Sequence, residues 1–296
     1  MTTGTWRYEG ALRRRLRQAR RAVQAAPAVG TRGVVVPAFW WDGHPNFGDA
    51  LTPLLLPRYG LVPLHREPDR ARLVGVGSLI QFLPADFDGA IWGTGAIDDA
   101  ERLLPEATVL AVRGPLTAER IGAGAVAYGD PGLLVGRHLR RPGSDGQVAL
   151  VAHGHHRGDE DLLALARRDG VRAVDLHRAA PPVVREIASA GAVLTTSLHG
   201  LVTADAYGIR AVWTTREPAL IGGDFKFRDY EAAVTPGRSR FVQFDDVRTR
   251  DDVVRRASRA DAGRVAALCD GLEAALRRVP EVLGPLPRYP AGLLRR

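Results

Sequence analysis

A histidine lies where a predicted strand meets a predicted helix, in the segment AVLTTSLHGLVTADAYG at positions 192–208. The apolar run indicates a buried strand that ends at Ser197, and Gly200 lets the backbone turn tightly into the helix. In open α/β sheets ligands bind at this edge, where free N–H groups and the helix dipole attract phosphate or carboxylate. We therefore expect Ser197, His199 and Gly200 to bind an anionic ligand. The alternative for His199 is a structural histidine with satisfied hydrogen bonds.

An arginine occupies the same kind of position in the segment LAVRGPLT at positions 110–117. The predicted strand brings Arg113 to its C-terminal end, and Gly114 and Pro115 begin a helix. A guanidinium group at such a place suits a forked contact with carboxylate or phosphate. Because the chain is rich in arginine, a surface arginine that caps a loop is an equally supported alternative.

The run WWDGHPNFGDALTPLLL at positions 40–56 follows the first predicted strand and combines aromatic with polar residues. Asp49 is suited either to capping a helix N-terminus or to binding a polar ligand. Trp40, Trp41 and His44 form a cluster that we expect to be exposed and able to stack on the face of a sugar. On this interpretation Asn46, Asp49 and Trp41 bind a saccharide.

A histidine cluster follows another predicted strand and contains His153, His155 and His156, with Asp159 and Asp161 close by. The spacing matches no helical or finger-type set of metal ligands. Three interpretations stay open, namely a metal site, contact of His153 with the anionic ligand, and a surface loop.

Glycines fall at several predicted strand ends, where only a small residue lets the backbone approach a ligand closely. These are Gly75, Gly77, Gly93 and Gly95. Because they do not complete a G-x-G-x-x-G pattern, support for a dinucleotide site is weak.

Short β-branched runs alternate with helical patterns along the chain, which is typical of βαβ units. Strands are predicted at 34–39, 73–76, 90–92 and 108–112, and again at 148–152, 171–176, 192–196 and 211–214. Helices are predicted at 49–59, 115–121, 159–168, 181–190 and 199–207, and a helix near 265–278 is expected to cross back onto the first half. The fold class is α/β, with two doubly wound, Rossmann-like domains that face a cleft in a GT-B-like arrangement.

The predicted domains are an N-terminal α/β domain at 29–140 on the acceptor side and a C-terminal α/β domain at 147–258 on the donor side. The stretch RRPGSDG at 140–146 has the composition of a linker between them, and 259–296 forms a C-terminal helix and tail. With 296 residues and 45% hydrophobic content, the chain can bury a core in each domain.

The amino-acid composition excludes several classes of protein. No run of about 18 apolar residues predicts a membrane span, and a single cysteine, Cys269, excludes disulfides and thiolate metal sites. We expect a cytoplasmic protein. The net charge of +8 suits anionic small molecules as readily as nucleic acid, and Lys226 is the one lysine among 41 basic residues.

Residues 1–28 are predicted to hold a basic amphipathic helix, in which Leu12, Leu16, Ala19 and Val23 form an apolar stripe. Arginines at positions 13, 14, 15, 17, 20 and 21 form its other face. This helix either docks on the body of the protein or makes peripheral contact with an anionic membrane. Nucleic acid is not an expected partner, because interleaved aromatic residues that stack on bases are missing.

Four segments in the same order, NFGDALTPLLL, AVRGPLTAERIG, YGDPGLLV and TTSLHGLVTADAYG, resemble the polysaccharide pyruvyl transferase family. The resemblance covers positions 34–234, and its most specific part is Ser-x-His-Gly with the small-residue helix that follows. It implies a GT-B-like fold, phosphoenolpyruvate as the pyruvyl donor, and a carbohydrate acceptor that is often built on a lipid carrier for an exported polysaccharide.

The same resemblance places the family's strand-end arginine at Arg113, its helix-start histidine at His199 and a later basic residue at Lys226 in FKFRDY. The Asn-x-Gly-Asp element falls on positions 46, 48 and 49. Many members carry an Arg-Asp pair where this chain has Arg113 and Gly114, which puts any role of the acidic neighbour in doubt.

Pyruvyl transfer from phosphoenolpyruvate requires a proton on its methylene carbon, addition of one sugar hydroxyl at C2, and loss of phosphate as a second hydroxyl closes the ketal. We expect His199 to be the acid and Arg113 and Lys226 to hold the carboxylate and phosphate, while Asp49 is only a guess for the base. The resemblance implies no metal and no cofactor, since phosphoenolpyruvate is a co-substrate. The alternatives are a nucleotide-sugar-dependent glycosyltransferase and a non-catalytic sugar-binding protein on the same fold.

Overall fold

The computed structural model describes residues 33–43 and 46–294, together with Leu16 and Val29. The predicted N-terminal helix, apart from Leu16, lies outside the described residues, as does His44 of the aromatic cluster. Within the described part of the chain, no helix combines the length and apolar character that crossing a membrane would require.

The first sheet contains six parallel strands in the order β2-β1-β3-β4-β5-β6. They are β1 Val34–Phe39, β2 Leu61–His65, β3 Leu73–Val74, β4 Ala90–Trp92, β5 Thr108–Val112 and β6 Ala127–Tyr128. The central strands are apolar on both faces, as strands covered by helices on both sides must be. From β1 the chain adds β2 on one side of the sheet and then β3 to β6 on the other, so the strand order switches between β1 and β3. Such a switch point opens a crevice at the carboxyl ends of the strands.

The second sheet contains four parallel strands in the order β10-β9-β7-β8. They are β7 Val148–Val151, β8 Val171–Ala173, β9 Ala192–Thr195 and β10 Arg210–Trp213. Counted from its own first strand, this sheet repeats the order of the first one, so its switch point lies between β7 and β9. The predicted α/β class, with two doubly wound parallel sheets, is confirmed.

Helices lie between these strands and after them. They are α1 Leu51–Leu55, α2 Pro115–Arg120, α3 Val135–His138, α4 Glu160–Ala166, α5 Ala180–Ala188, α6 Leu198–Ala206, α7 Phe225–Val234, α8 Arg250–Arg256, α9 Ala262–Arg277 and α10 Val279–Leu283. The longest, α9, packs against strands of the first sheet, and the indole Nε1 of Trp92 donates a 2.8 Å hydrogen bond to the carbonyl oxygen of Leu272. The predicted crossing of this helix onto the first half is confirmed.

The largest hydrophobic cluster is continuous across the two halves of the protein. It joins Val36 and Trp92 of the first sheet to Val151 and Val193 of the second, with Leu201 of α6 among its members. Residues 140–147, between the two sheets, form no helix or strand. The two switch points are therefore held against each other by a shared core.

The sequence did not predict β2 or β6. The strand β2 contains Pro63, which cannot donate a ladder hydrogen bond, and it is accordingly an edge strand. The strand β6 has only two residues. The predicted helix at 49–59 is divided into α1 and a 3-10 turn at Leu56–Tyr59 that contains Pro57 and ends at Gly60, whose φ is 78°.

Candidate functional site

The loop after β1 places a buried carboxylate at the switch point of the first sheet. The Asn46 amide donates a 2.6 Å hydrogen bond to Oδ2 of Asp49 and accepts one of 3.1 Å from the Gly48 backbone. A Cβ added to Gly77, after β3, would lie 2.8 Å from Oδ1 of Asp49, so the glycine makes room for this carboxylate. Burial raises the pKa of Asp49 to about 6, an effect opposed by His199, by the Asn46 hydrogen bond and by Lys226.

His199 enters the same site from the second sheet, in the first turn of α6. Its N-cap residue is Ser197, and 8% of the histidine remains exposed. A Cβ added to Gly48 would lie 2.1 Å from Nδ1 of His199, so the ring packs directly on the backbone of the loop after β1. The glycine of the Asn-x-Gly-Asp element therefore accommodates the histidine of the Ser-x-His-Gly element.

Asp130, after β6, faces the same histidine and was not predicted as a site residue. It is completely buried, and its Oδ2 lies 3.6 Å from Nε2 of His199. Its Oδ1 accepts a 2.8 Å hydrogen bond from the Gly132 backbone and thereby caps the 3-10 turn Pro131–Leu134. The segment YGDPGLLV carried the signal, since an aspartate at the end of a strand lies near the crevice, but the sequence analysis assigned it no role.

Lys226 completes this group from the first turn of α7. Its side chain is nearly buried, and its Nζ lies 5.9 Å from the centroid of the Phe227 ring. Burial and the nearby Arg113 together lower the pKa of Lys226 to about 8, and Asp49 opposes the shift. Asp49, His199 and Lys226 thus lie in one electrostatically coupled site.

Arg113, at the end of β5, is completely buried and bonded to the protein itself. Its Nε donates a 2.9 Å hydrogen bond to Oδ2 of Asp229, and its terminal nitrogens donate to Oγ of Ser78 and to the carbonyl oxygen of Ala96, both at 2.6 Å. The Asp229 carboxylate also accepts hydrogen bonds from the backbone and hydroxyl of Thr117. Arg113 therefore ties β5, α2 and α7 together beside the site.

Comparison with known proteins gives a match of residues 72–218 to the family model for polysaccharide pyruvyl transferase. The succinoglycan biosynthesis protein ExoV of Rhizobium meliloti (strain 1021) is 30% identical over 207 residues. These two matches support the polysaccharide pyruvyl transferase family for this chain. The ExoV match covers 66% of this chain and 63% of ExoV, which is less than two thirds of that relative's length.

A structure of the wall teichoic acid polymerase TagF is similar at a TM-score of 0.38, with 9% identity over 92% of this chain and 96% of the other. A TM-score of this size supports no conclusion about either fold or function.

The carboxylate beside Arg113 comes from a distant part of the chain. A Cβ added to Gly114 would lie 1.9 Å from the carbonyl oxygen of Asp229, so α7 approaches too closely for a larger residue. Asp229 supplies the negative charge that an Arg-Asp pair would otherwise carry. The sequence contained a signal for it, because Lys226 and Asp229 are three residues apart and share a helix face.

Two of the other predicted donor contacts have evident packing or capping roles. A Cβ added to Gly200 would lie 2.4 Å from Oγ1 of Thr195 and 2.8 Å from Val151, so the glycine lets α6 pack on the second sheet. Ser197 caps α6 without a side-chain hydrogen bond. Their contact with a donor stays a prediction.

The histidine loop after β7 places His153 near Thr196, whose Oγ1 accepts a 2.8 Å hydrogen bond from the His153 backbone. His156 is buried, with Nδ1 2.9 Å from Oγ1 of Thr196 and Nε2 3.0 Å from the carbonyl oxygen of Pro218. Because a carbonyl only accepts, Nε2 of His156 carries a proton, and this histidine is structural. Whether His153 contacts a donor stays a prediction.

The aromatic cluster before Asn46 is only partly exposed, contrary to the sequence prediction. Trp40 is 98% buried and packs edge-on against His65, with 4.7 Å between ring centroids. Trp41 is half-buried and lies 5.3 Å from the ring of Phe82. The prediction failed for Trp40 because it extends the first strand into the core, and acceptor binding by Trp41 stays a prediction.

Proposed function

We propose that the protein transfers a pyruvyl group from phosphoenolpyruvate to a saccharide and forms a pyruvate ketal during polysaccharide or cell-envelope glycan biosynthesis. The observation that carries this proposal is the convergence of His199, Asp49 and Lys226 in one buried site. These three groups supply the acid, the base and the cation that the reaction needs. The match to the polysaccharide pyruvyl transferase family model supports the same assignment.

The reaction moves two protons from the acceptor. His199 gives a proton to the methylene carbon of phosphoenolpyruvate, and the first sugar hydroxyl adds to the cationic C2 as it loses its own proton. The second hydroxyl then displaces phosphate at the same carbon. One hydroxyl proton therefore balances the new methyl group, and the other leaves with the phosphate.

Asp49 is suited to accept the proton of the first hydroxyl. A general base works best when its pKa lies near the working pH, and burial raises the pKa of Asp49 to about 6. The Asn46 amide holds the carboxylate at 2.6 Å and fixes its orientation. Because Asp49 lies beside the first switch point, the proposal has the saccharide bind on the side of β1 and β3.

Lys226 is suited to the departing phosphate. Its ammonium is nearly buried, where attraction to a dianion is much stronger than in water. The N-terminus of α6, which carries His199, adds the positive end of a helix dipole. The donor accordingly binds between α6 and α7, and Arg113 supports this arrangement from beneath, through Asp229 on α7.

The decisive experiment measures phosphate release from phosphoenolpyruvate in the presence of a panel of saccharide acceptors. Acceptor-dependent release, together with a new ketal methyl signal in the product, is the expected result. In parallel, phosphoenolpyruvate should raise the melting temperature, whereas nucleotide sugars should not. Stabilisation by a nucleotide sugar alone would favour a glycosyltransferase, and no stabilisation by either would favour a non-catalytic sugar-binding protein.

We propose that the predicted N-terminal helix attaches the protein to a membrane surface and takes no part in the reaction. The protein would then act in the cytoplasm, with a lipid-linked saccharide as one form of the acceptor. Removal of residues 1–28 should weaken binding to vesicles that contain anionic lipid and leave turnover of a water-soluble acceptor unchanged. Loss of turnover in a truncated protein that still unfolds cooperatively would contradict this role.

A further inference from the structure

The carboxylate of Asp130 has no part in the reaction outlined above, although it lies against the proposed acid. One of its oxygens, Oδ1, accepts the Gly132 hydrogen bond and is accounted for by the turn. The other, Oδ2, is buried and has no hydrogen-bond partner. An unpaired buried acceptor destabilises the folded protein, so this arrangement requires an explanation.

The atom that faces Oδ2 is equally unpaired. Nε2 of His199 is buried without a hydrogen-bond partner and lies 3.6 Å from Oδ2 of Asp130. Two polar atoms that are both buried, both unpaired and 3.6 Å apart need only a small movement of the ring to form a hydrogen bond. Such a bond would give both atoms the partner they lack.

The packing of Gly48 shows which part of the ring is left for a substrate. A Cβ on Gly48 would lie 2.1 Å from Nδ1 of His199 and 2.6 and 2.7 Å from Cγ and Cε1. If the added Cβ lay in the ring plane, in line with the N–H direction of Nδ1, it would be farther from Cγ and Cε1 than these distances. The Cβ therefore lies above the ring plane, and Gly48 covers the face of the ring. The in-plane direction in which Nδ1 would donate is not the one that Gly48 covers.

We propose that Asp130 is a positioning residue that accepts the Nε2 proton of His199 and thereby makes Nδ1 the nitrogen that exchanges a proton with the substrate. In the protonated ring Nε2–H stays bonded to Asp130, and Nδ1–H is given to the methylene carbon of the donor. The neutral ring that remains carries its proton on Nε2. The identity of the proton acceptor, phosphoenolpyruvate, rests on the proposed function. The hydrogen bond between Asp130 and Nε2 of His199 does not.

The first test uses substrate-free protein labelled with ¹⁵N at histidine, at about pH 8.5, where imidazole is ordinarily neutral. The ¹⁵N shifts of His199 should report the Nε2–H tautomer. Asp130→Asn keeps an oxygen for the Gly132 cap but presents an NH₂ group to Nε2, which must then accept, so the proton should move to Nδ1. Loss of one set of signals in His199→Gln identifies the residue.

His156 serves as the internal reference, because its Nε2 lies 3.0 Å from a carbonyl oxygen and it should stay in the Nε2–H tautomer in both proteins. An Nδ1–H tautomer for His199 in the wild type, or the same tautomer in wild type and Asp130→Asn, overturns the proposal. If Asp130→Asn does not fold, the wild-type tautomer alone decides. This readout does not depend on which substrate the protein uses, so its failure is separate from failure of the proposed function.

The second test measures kinetics with phosphoenolpyruvate. Asp130→Asn should lower kcat about 10–100-fold and leave the donor Kd within about twofold, since the partner of a working histidine acts through it. Gly48→Ala leaves Asp130 and its cap untouched but forces the ring away, and it should lower kcat to a similar extent. Unchanged kcat in a folded Asp130→Asn protein would make Asp130 a capping residue only.

Discussion

Two buried polar groups, one around Arg113 and one around His199, differ in how completely the protein pairs them. Around Arg113 the donors and acceptors are matched by Asp229, Ser78, Thr117 and a backbone carbonyl. Around His199 they are not, because Nε2 of the ring and Oδ2 of Asp130 both lack a partner. The Arg113 group therefore stabilises the crevice, and the His199 group is left available for chemistry.

The difference shows why residue type and strand position do not separate a binding residue from a structural one. Arg113 and His199 both follow buried strands and both precede helices. Only the structure reveals that Asp229, Ser78 and the Ala96 carbonyl already accept hydrogen bonds from the guanidinium of Arg113. A buried pair that is broken costs more than an exposed one, so the two groups should respond to substitution in different observables.

The largest expected effect is on turnover in His199→Ala. Loss of an acid catalyst should lower kcat about 10²–10⁴-fold, because the proton is transferred only in the transition state. The donor Kd, measured by calorimetry, should change little. His155→Ala, at an exposed position on the neighbouring loop, is the control. A collapse of donor affinity with kcat retained would make His199 a binding group, like the one that Arg113 was predicted to be.

Arg113→Ala should instead lower stability, by about 3–5 kcal/mol in urea unfolding, since it leaves the Asp229 carboxylate buried without its cation. The double variant Arg113→Met, Asp229→Leu should recover part of that loss. Arg120→Ala, which removes a pair with the exposed Asp99, should leave the unfolding midpoint nearly unchanged. An Arg113→Ala protein that keeps its stability but loses donor binding would contradict this prediction and would make Arg113 a binding residue.

Asp49→Asn should stabilise the protein by about 2–3 kcal/mol above pH 6 while it lowers activity. The folded-state pKa of Asp49 is raised from 3.8 to about 6, so the folded protein binds more protons than the unfolded chain between these values. Its contribution to stability is present below pH 3.8 and is lost as the pH rises through 6. The gain from Asn should therefore shrink toward zero near pH 3.5.

Urea unfolding at pH 4 and pH 7.5 measures this dependence, with Asp88→Asn, an exposed carboxylate, as the control. A gain of equal size at both pH values would mean that the Asp49 carboxylate is not destabilised by burial, and the case for it as the base would fall.

The smallest expected effect is that of Lys226→Arg, about a tenfold loss of kcat/KM at the optimum. A guanidinium group is a wide planar fork and does not replace a compact ammonium in a buried site. The wild-type profile of kcat/KM should fall below about pH 6, as Asp49 is protonated, and above about pH 8, as Lys226 loses its proton.

The arginine variant should lose the part of the alkaline limb that comes from Lys226, because guanidinium stays charged. The matched control is Arg228→Lys, the converse exchange at an exposed position on the same helix. A Lys226→Arg protein with wild-type efficiency would show that only charge matters at this position.

Much of the fold could be predicted because buried parallel strands have a simple pattern. Three strands of the first sheet were predicted at the bounds observed, and every strand of the second was found within a few residues. The two strands that were not predicted are β2 and β6. The strand β2 contains Pro63, which only an edge strand tolerates, and β6 is too short to show any periodicity. The side-chain contacts within the site could not be predicted from the sequence, because 69 positions separate Asp130 from His199 and 116 separate Arg113 from Asp229.

The glycines at the strand ends were expected to let the backbone approach a ligand, but in the structure groups of the protein itself approach all four of them. Gly95 gives room to the guanidinium of Arg113 and Gly77 to the carboxylate of Asp49. Sequence patterns show that space is needed and do not show what fills it.

The single lysine of this sequence has a practical consequence. Amine-directed reagents, which label most proteins at many positions, have one side-chain target here, and it lies inside the site. Reductive methylation with ¹³C-formaldehyde would attach one pair of reporter methyl groups at Lys226, resolved from the α-amino signal by NMR. The chain thus contains its own site-specific spectroscopic label position at Lys226.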